Sequence, residues 1–70
     1  MKYIPGNQFI NNTHNFGRYF KRGSVYTLKN IKKEEENKIK YIFTSNDKDK
    51  EIVFKTVKEA DNFLESFDNI

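Results

Sequence analysis

From Ser24 to Lys55 apolar and polar positions alternate with a period of two, and beyond Thr56 the spacing lengthens to that of a helix. Ser24 to Lys32 sets Tyr26 and Leu28 on one side and Val25, Thr27, Lys29 and Ile31 on the other, as a strand with one covered face requires. Lys38 to Thr44 repeats the alternation, with Ile39, Tyr41 and Phe43 opposing Lys40, Ile42 and Thr44. Lys50 to Lys55 predicts a third strand, with Ile52 and Phe54 on one face and Val53 on the other. Lys33 to Asn37, bearing Glu34, Glu35 and Glu36, forms a solvated hairpin connection. Ser45 to Asp49 is a polar turn built from residues that turns favour. Residues 24–55 are therefore predicted to form a three-stranded meander.

Upstream, Pro5-Gly6 suits the centre of a type II turn, because proline fixes φ at the first central position and glycine accepts positive φ at the second. Gln8 to Asn11 is a short strand carrying Phe9, and Asn11 to Asn15 reads as loop. Phe16 to Gly23 is either a short strand or an ordered loop between two glycines. Downstream, Thr56 and Glu59 have the spacing of a reciprocal capping box. Val57, Ala60, Phe63, Leu64 and Phe67 then share one stripe, so a helix is expected over about 57–67. Lys58, Glu59, Asp61, Asn62 and Glu65 occupy its solvent side, and Asp68 to Ile70 should fray. The helix should set Phe63, Leu64 and Phe67 against Tyr41, Phe43 and Phe54. The expected fold is mainly β (α+β): one domain over residues 1–70, a small antiparallel sheet with one C-terminal helix packed on it.

The motifs Pro5-Gly6-x-x-Phe9, Gly23-x-x-Tyr26-x-Leu28 and Tyr41-x-Phe43 give residues 5–55 a resemblance to the SH3-like barrels of small bacterial and phage proteins. The resemblance implies a small β-barrel whose long first loop, here the acid-free stretch 10–23, carries binding. The terminal helix departs from the simplest barrels, and an open sheet backed by a helix is the competing layout.

Composition adds constraints. Seventy residues bury a limited core, and the chain has no cysteine, so neither a disulfide nor a thiolate–zinc site supports it. Seven Phe and four Tyr supply the bulk instead. No apolar leader follows Met1 and no run is long enough to span a membrane, so the expected location is cytoplasmic. Abundant Lys, Asn, Ile and Phe suggest an AT-rich source such as a low-GC bacterium, its phage or a mobile element. The net charge of +3 conceals a split: residues 1–33 carry +7 with no acid, and residues 34–70 carry −4.

Little points to catalysis or cofactors. His14 is the sole histidine, in a polar loop, and offers no dyad. Asp47-Lys48-Asp49-Lys50-Glu51 lacks the central glycine and the final glutamate of a calcium loop and reads as a solvated turn. The three glycines are too scattered for a phosphate loop. No cofactor and no metal are expected.

The segment Phe16 to Arg22 interleaves aromatics with cations, a mixture that suits either unpaired bases and phosphates or a protein hot spot. The plainer reading sends at least two of its aromatics into the core. The candidate contact residues are Arg18, Tyr19, Phe20, Lys21 and Arg22, joined by Lys29, Lys32 and Lys33 on the first hairpin, where lysines commonly serve only to keep a sheet edge soluble.

Two functions follow. The first is a non-enzymatic protein-binding module or inhibitor, phage or mobile-element encoded, that binds a host protein stoichiometrically, for example a nucleic-acid enzyme or a defence system such as CRISPR. The alternative is a nucleic-acid-binding SH3-like module that uses the basic N-terminal half. Both imply a macromolecular partner, no membrane, and a monomer or homodimer.

Overall fold

A computed structural model describes residues 2–12 and 20–69. Its elements run β1 (Gln8–Ile10), β2 (Val25–Lys33), β3 (Ile39–Ser45), β4 (Lys48–Phe54), α1 (Val57–Leu64) and β5 (Asp68–Asn69). The strands make one antiparallel sheet in the order β4-β3-β2-β1-β5, so the meander sits at one side and the chain ends pair at the other. β4 and β5 are its two edges, and the sheet of described strands is open.

The alternating apolar residues place their bulk on one face, where α1 covers them. Phe9, Leu28, Tyr41, Phe43, Ile52, Phe54, Ala60, Leu64 and Phe67 are buried there with Tyr3, Phe20 and Tyr26. Phe20 is the hub. Its ring stacks on Tyr26 at 4.2 Å and on Phe67 at 4.7 Å, and meets Phe43 edge-on at 4.9 Å. Phe63 touches Phe54 at 5.4 Å and Phe67 at 5.1 Å, so the helix lies on the sheet through the aromatic stripe expected of it.

Four boundaries or faces differ from the expectation. In β2, Leu28 opposes Phe43 and Asn30 opposes Ile42, leaving Lys29 as the extra residue of a β-bulge. The bulge shifts the phase by one, so Ile31 packs against the core rather than on the outer face with Val25 and Thr27. The turn after β3 is tighter than Ser45 to Asp49. Ser45 pairs with Lys48 across Asn46 and Asp47, whose φ values of 53° and 63° are those of a two-residue hairpin turn. The helix stops at Leu64. Phe67 enters the core from the turn that follows, where Ser66 N–H and Phe67 N–H donate to Phe63 and Leu64. Finally, Asp68 and Asn69 do not fray: they pair with Ile10 and Phe9, which lengthens the sheet by a strand.

The N-terminal turn forms as expected. Asn7 N–H donates to Ile4 C=O across Pro5-Gly6, and Gly6 takes a φ of 103°. The capping box forms by half. Glu59 N–H donates to Thr56 Oγ1 at 3.1 Å, with no return bond from the Glu59 carboxylate to Thr56 N–H among the described residues.

Candidate functional site

The loop that leads into β2 is held from below. Buried Asn11 donates through Nδ2 to the Phe20 carbonyl at 2.8 Å and accepts Gly23 N–H on its own carbonyl at 2.9 Å. Tyr26 Oη accepts Lys21 N–H at 2.9 Å, and Ser24 N–H closes a turn onto Lys21 C=O with Gly23 at a φ of 83°. These bonds fix Phe20 inward and put Lys21 and Arg22 on an exposed tip.

Of the expected contact residues, Arg18 and Tyr19 lie outside the described residues. Phe20 is fully buried and fills the core; the plainer reading asks for at least two such aromatics, and Phe16, like Tyr19, lies outside the described residues. Lys29 sits at the bulge and pairs with Asp49 at 2.9 Å. Lys32 and Lys33 end β2 at the opposite end of the sheet from Lys21 and Arg22. At about 3.3 Å per strand residue the length of β2 puts roughly 25 Å between the two groups, in a molecule whose longest dimension is 33 Å. The structure therefore does not gather these cations into one patch.

Among the described residues, folding bridges the charge split along the sequence at two pairs, Lys2–Glu65 and Lys29–Asp49. β3 and β4 bring acids beside the basic hairpin. Lys40 reaches Glu34 at 2.8 Å and Glu51 at 3.5 Å, with Lys32 directly across the strand pair. The hydrogen bond from Lys40 holds the Glu34 carboxyl below its ordinary range, and the same bond raises Lys40. The hydrogen bond from Lys29 likewise lowers Asp49, with Thr44 assisting. Lys21, Arg22, Lys32 and Lys33 make no ion pair among the described residues.

Three shallow clefts flank the sheet. One of about 380 Å³ is lined by Tyr26, Ser45, Asn46, Lys48, Asp49 and Lys50. A second, of about 370 Å³, lies among Glu34, Lys38, Lys40 and Val53. A third, of about 310 Å³, is an apolar notch between Ile31, Ile39 and Val57 with Lys33 at its rim. All are at the small end of the ligand-pocket range. Among the described residues no group of three or more His, Asp or Glu is placed to hold a metal, and no helix is long and apolar enough to cross a membrane.

Among the described residues α1 covers one face of the sheet, and the other face carries a second set of side chains. The registers set Asp49, Thr44, Thr27 and Gln8 in one row across four strands, with Val25 beside Ile10 in the row below and Ile42 beside Asn30 above. Gln8 Nε2 donates to Thr27 Oγ1 at 3.3 Å. Thr44, Thr27, Gln8, Val25 and Ile10 form an uncharged cluster on this face; Lys29 reaches across β3 to Asp49 along one side of it, over buried Ile42, and Asp68 stands beside Ile10 at the other. Val25 and Val53 are 40% and 51% exposed there. The alternation sets Val25, Thr27, Ile42, Thr44 and Val53 on the side away from the core but does not place Gln8, Ile10, Asn30 or Asp49 beside them. The available signal was that a single helix covers only one face of a sheet.

No family model, curated protein or solved structure matches the chain.

Proposed function

We propose that this chain is a small protein-binding module that acts by stoichiometric occupation of a partner's surface, using the uncovered face of its sheet. The observation that carries the reading is the uncharged cluster of Val25, Thr27, Thr44, Gln8 and Ile10 on that face, with the ion pairs of Lys29 and Lys40 along its β4 side, since interface centres are depleted of charge and their rims are polar. Size supports it. A standard interface of ~800 Å² per partner would occupy about a sixth of the 4909 Å² surface, within reach of one face. The strand order β4-β3-β2-β1-β5 supports an SH3-like layout. The residue bias of the sequence supports a phage or mobile-element origin with a host protein as target.

The nucleic-acid alternative is less well supported. Its cations lie at two ends of the molecule, and no aromatic among the described residues is an exposed stacking platform. The test is capture of partners from lysate by the tagged domain, with nuclease and at two salt concentrations. A protein retained through nuclease and higher salt, and lost on Val25→Glu or Thr44→Lys but not on Lys21→Ala/Arg22→Ala, is the expected result. Recovery of nucleic acid that falls steeply with salt and depends on Lys21 and Arg22 would overturn the reading.

A further inference from the structure

β4 is a seven-residue edge strand, and its sequence dictates what can pair with it. In an antiparallel pair, alternate residues turn both backbone groups toward the neighbour and the rest turn both away. Ser45 and Lys48 close the two-residue turn as a hydrogen-bonded pair. The outward set is therefore Asp49, Glu51 and Val53, whose side chains all stand on the uncovered face.

A second copy is a poor occupant. Two β4 edges joined in one sheet by a twofold axis must match residues of the same face. With Asp49 opposite Glu51, Lys50 meets Lys50. With Asp49 opposite Val53, Glu51 meets Glu51. Like charges directly across a strand pair are destabilising. The register that opposes Ile52 to Ile52 escapes this but uses only the last five residues. The charged first half thus guards the edge against itself.

A strand of different composition meets no such barrier. We propose that the β4 edge accepts an extended segment of the partner protein, antiparallel, that carries basic side chains opposite Asp49 and Glu51, an acid opposite Lys50 and apolar residues opposite Ile52 and Val53. Asp49 and Glu51 lie on the outermost strand, while the lysines that pair with them, Lys29 and Lys40, lie inward on β2 and β3. A basic side chain on the incoming strand would share those carboxylates with Lys29 and Lys40 from the open side of β4. Main-chain bonds to Asp49, Glu51 and Val53 supply affinity, and the alternate side chains supply register. This inference rests on the reading of the chain as a protein-binding module and names the partner's chemistry.

The test uses the full chain and two capped peptides, Thr-Val-Val-Lys-Glu-Lys-Thr and its charge-swapped form Thr-Val-Val-Glu-Lys-Glu-Thr. The first is expected to slow amide exchange at Asp49, Glu51 and Val53 and to bind about tenfold or more tightly than the second, as reversal of three cross-strand charge pairs implies. Val53→Pro removes an outward N–H without touching the β3 ladder and should abolish binding at unchanged far-ultraviolet circular dichroism. Should that variant unfold, Glu51→Lys must narrow or invert the preference between the peptides. Equal binding of the two peptides, or protection confined to other amides, would overturn the inference. If the peptides fail in this way while a lysate partner is still lost on Val25→Glu, the protein-binding reading stands and the edge is not its site. If no protein is captured at all, the reading itself falls.

Discussion

Single residues divide here by what their polar atoms find. Phe20 has no polar atom beyond its backbone and meets four aromatic rings, with Phe63 the most distant at 6.0 Å. Phe20→Ala should cost about 3–5 kcal/mol, enough to unfold much of a domain this small, whereas Lys21→Ala or Arg22→Ala should leave the urea midpoint unchanged. Tyr41 is the opposite case. Its ring fills the core, but its hydroxyl is buried with no hydrogen-bond partner among the described residues, and Asp61 Oδ1 is in the same position. Burial, and after it the charge of Asp61, raises Tyr41 above its ordinary value. Tyr41→Phe should therefore be neutral or stabilising by up to about 1 kcal/mol in urea titration, since it removes a desolvated group and no bond. A clear loss of stability would show that the hydroxyl is satisfied in solution. The sequence indicated that Tyr41 points inward, and it placed Asp61 on the solvent side. The helical stripe carries no information about the lateral reach of a half-buried aspartate toward a phenol on the sheet.

Among elements, those with strong periodicity were legible and those set by a single backbone event were not. β2, β3, β4 and α1 appear within a few residues of where alternation and the helical stripe put them, because each must hide one face. The bulge at Lys29 carries no glycine to announce it, and it alone decides that Ile31 faces the core. β5 has two residues, too few to show a period, and exists because the turn after α1 delivers it beside β1. The expected contact site was legible only in part for the same reason: spacing along the chain could not show that its two groups of cations stand at the two ends of the nine-residue strand β2. The Asn46–Asp47 turn holds both residues at positive φ, so Asp47→Gly should raise stability by about 0.5–1 kcal/mol, read as an upward shift of the thermal midpoint. At the start of α1, Thr56→Ala should cost about 1 kcal/mol through the lost bond to Glu59 N–H. Glu59→Ala should cost only a few tenths, through the helix dipole, because its carboxylate makes no reciprocal cap. Equal losses in the two variants would mean that the box closes in solution.

At the scale of the whole molecule, Lys2–Glu65 and Lys29–Asp49 join the basic and acidic halves of the chain, and these pairs together with Lys40–Glu34 shape how stability responds to pH. Asp49 and Glu34 are held below their ordinary values of 3.8 and 4.5 by lysine hydrogen bonds. Between the folded and unfolded values the unfolded chain binds more protons, so stability rises with pH there. Their contribution is complete above about pH 4.5 and is lost as pH falls below 3.8 through the folded values. Lys2, paired with Glu65, and Lys40, paired with Glu34, are raised above 10.5, and buried Tyr41 above 10.0. For these groups the folded chain keeps its protons longer, so their contribution is complete below pH 10 and is lost as pH rises beyond it. A thermal midpoint measured against pH should thus show a plateau from about 5 to 9 with a fall on each side. Because the acid-side pairs are exposed, added salt should shrink the acid fall. Tyr41→Phe should delay the onset of the alkaline fall toward the lysine range, since it removes the group that titrates first. A fall within the plateau that persists in that variant would show that stability is governed by a group other than these pairs.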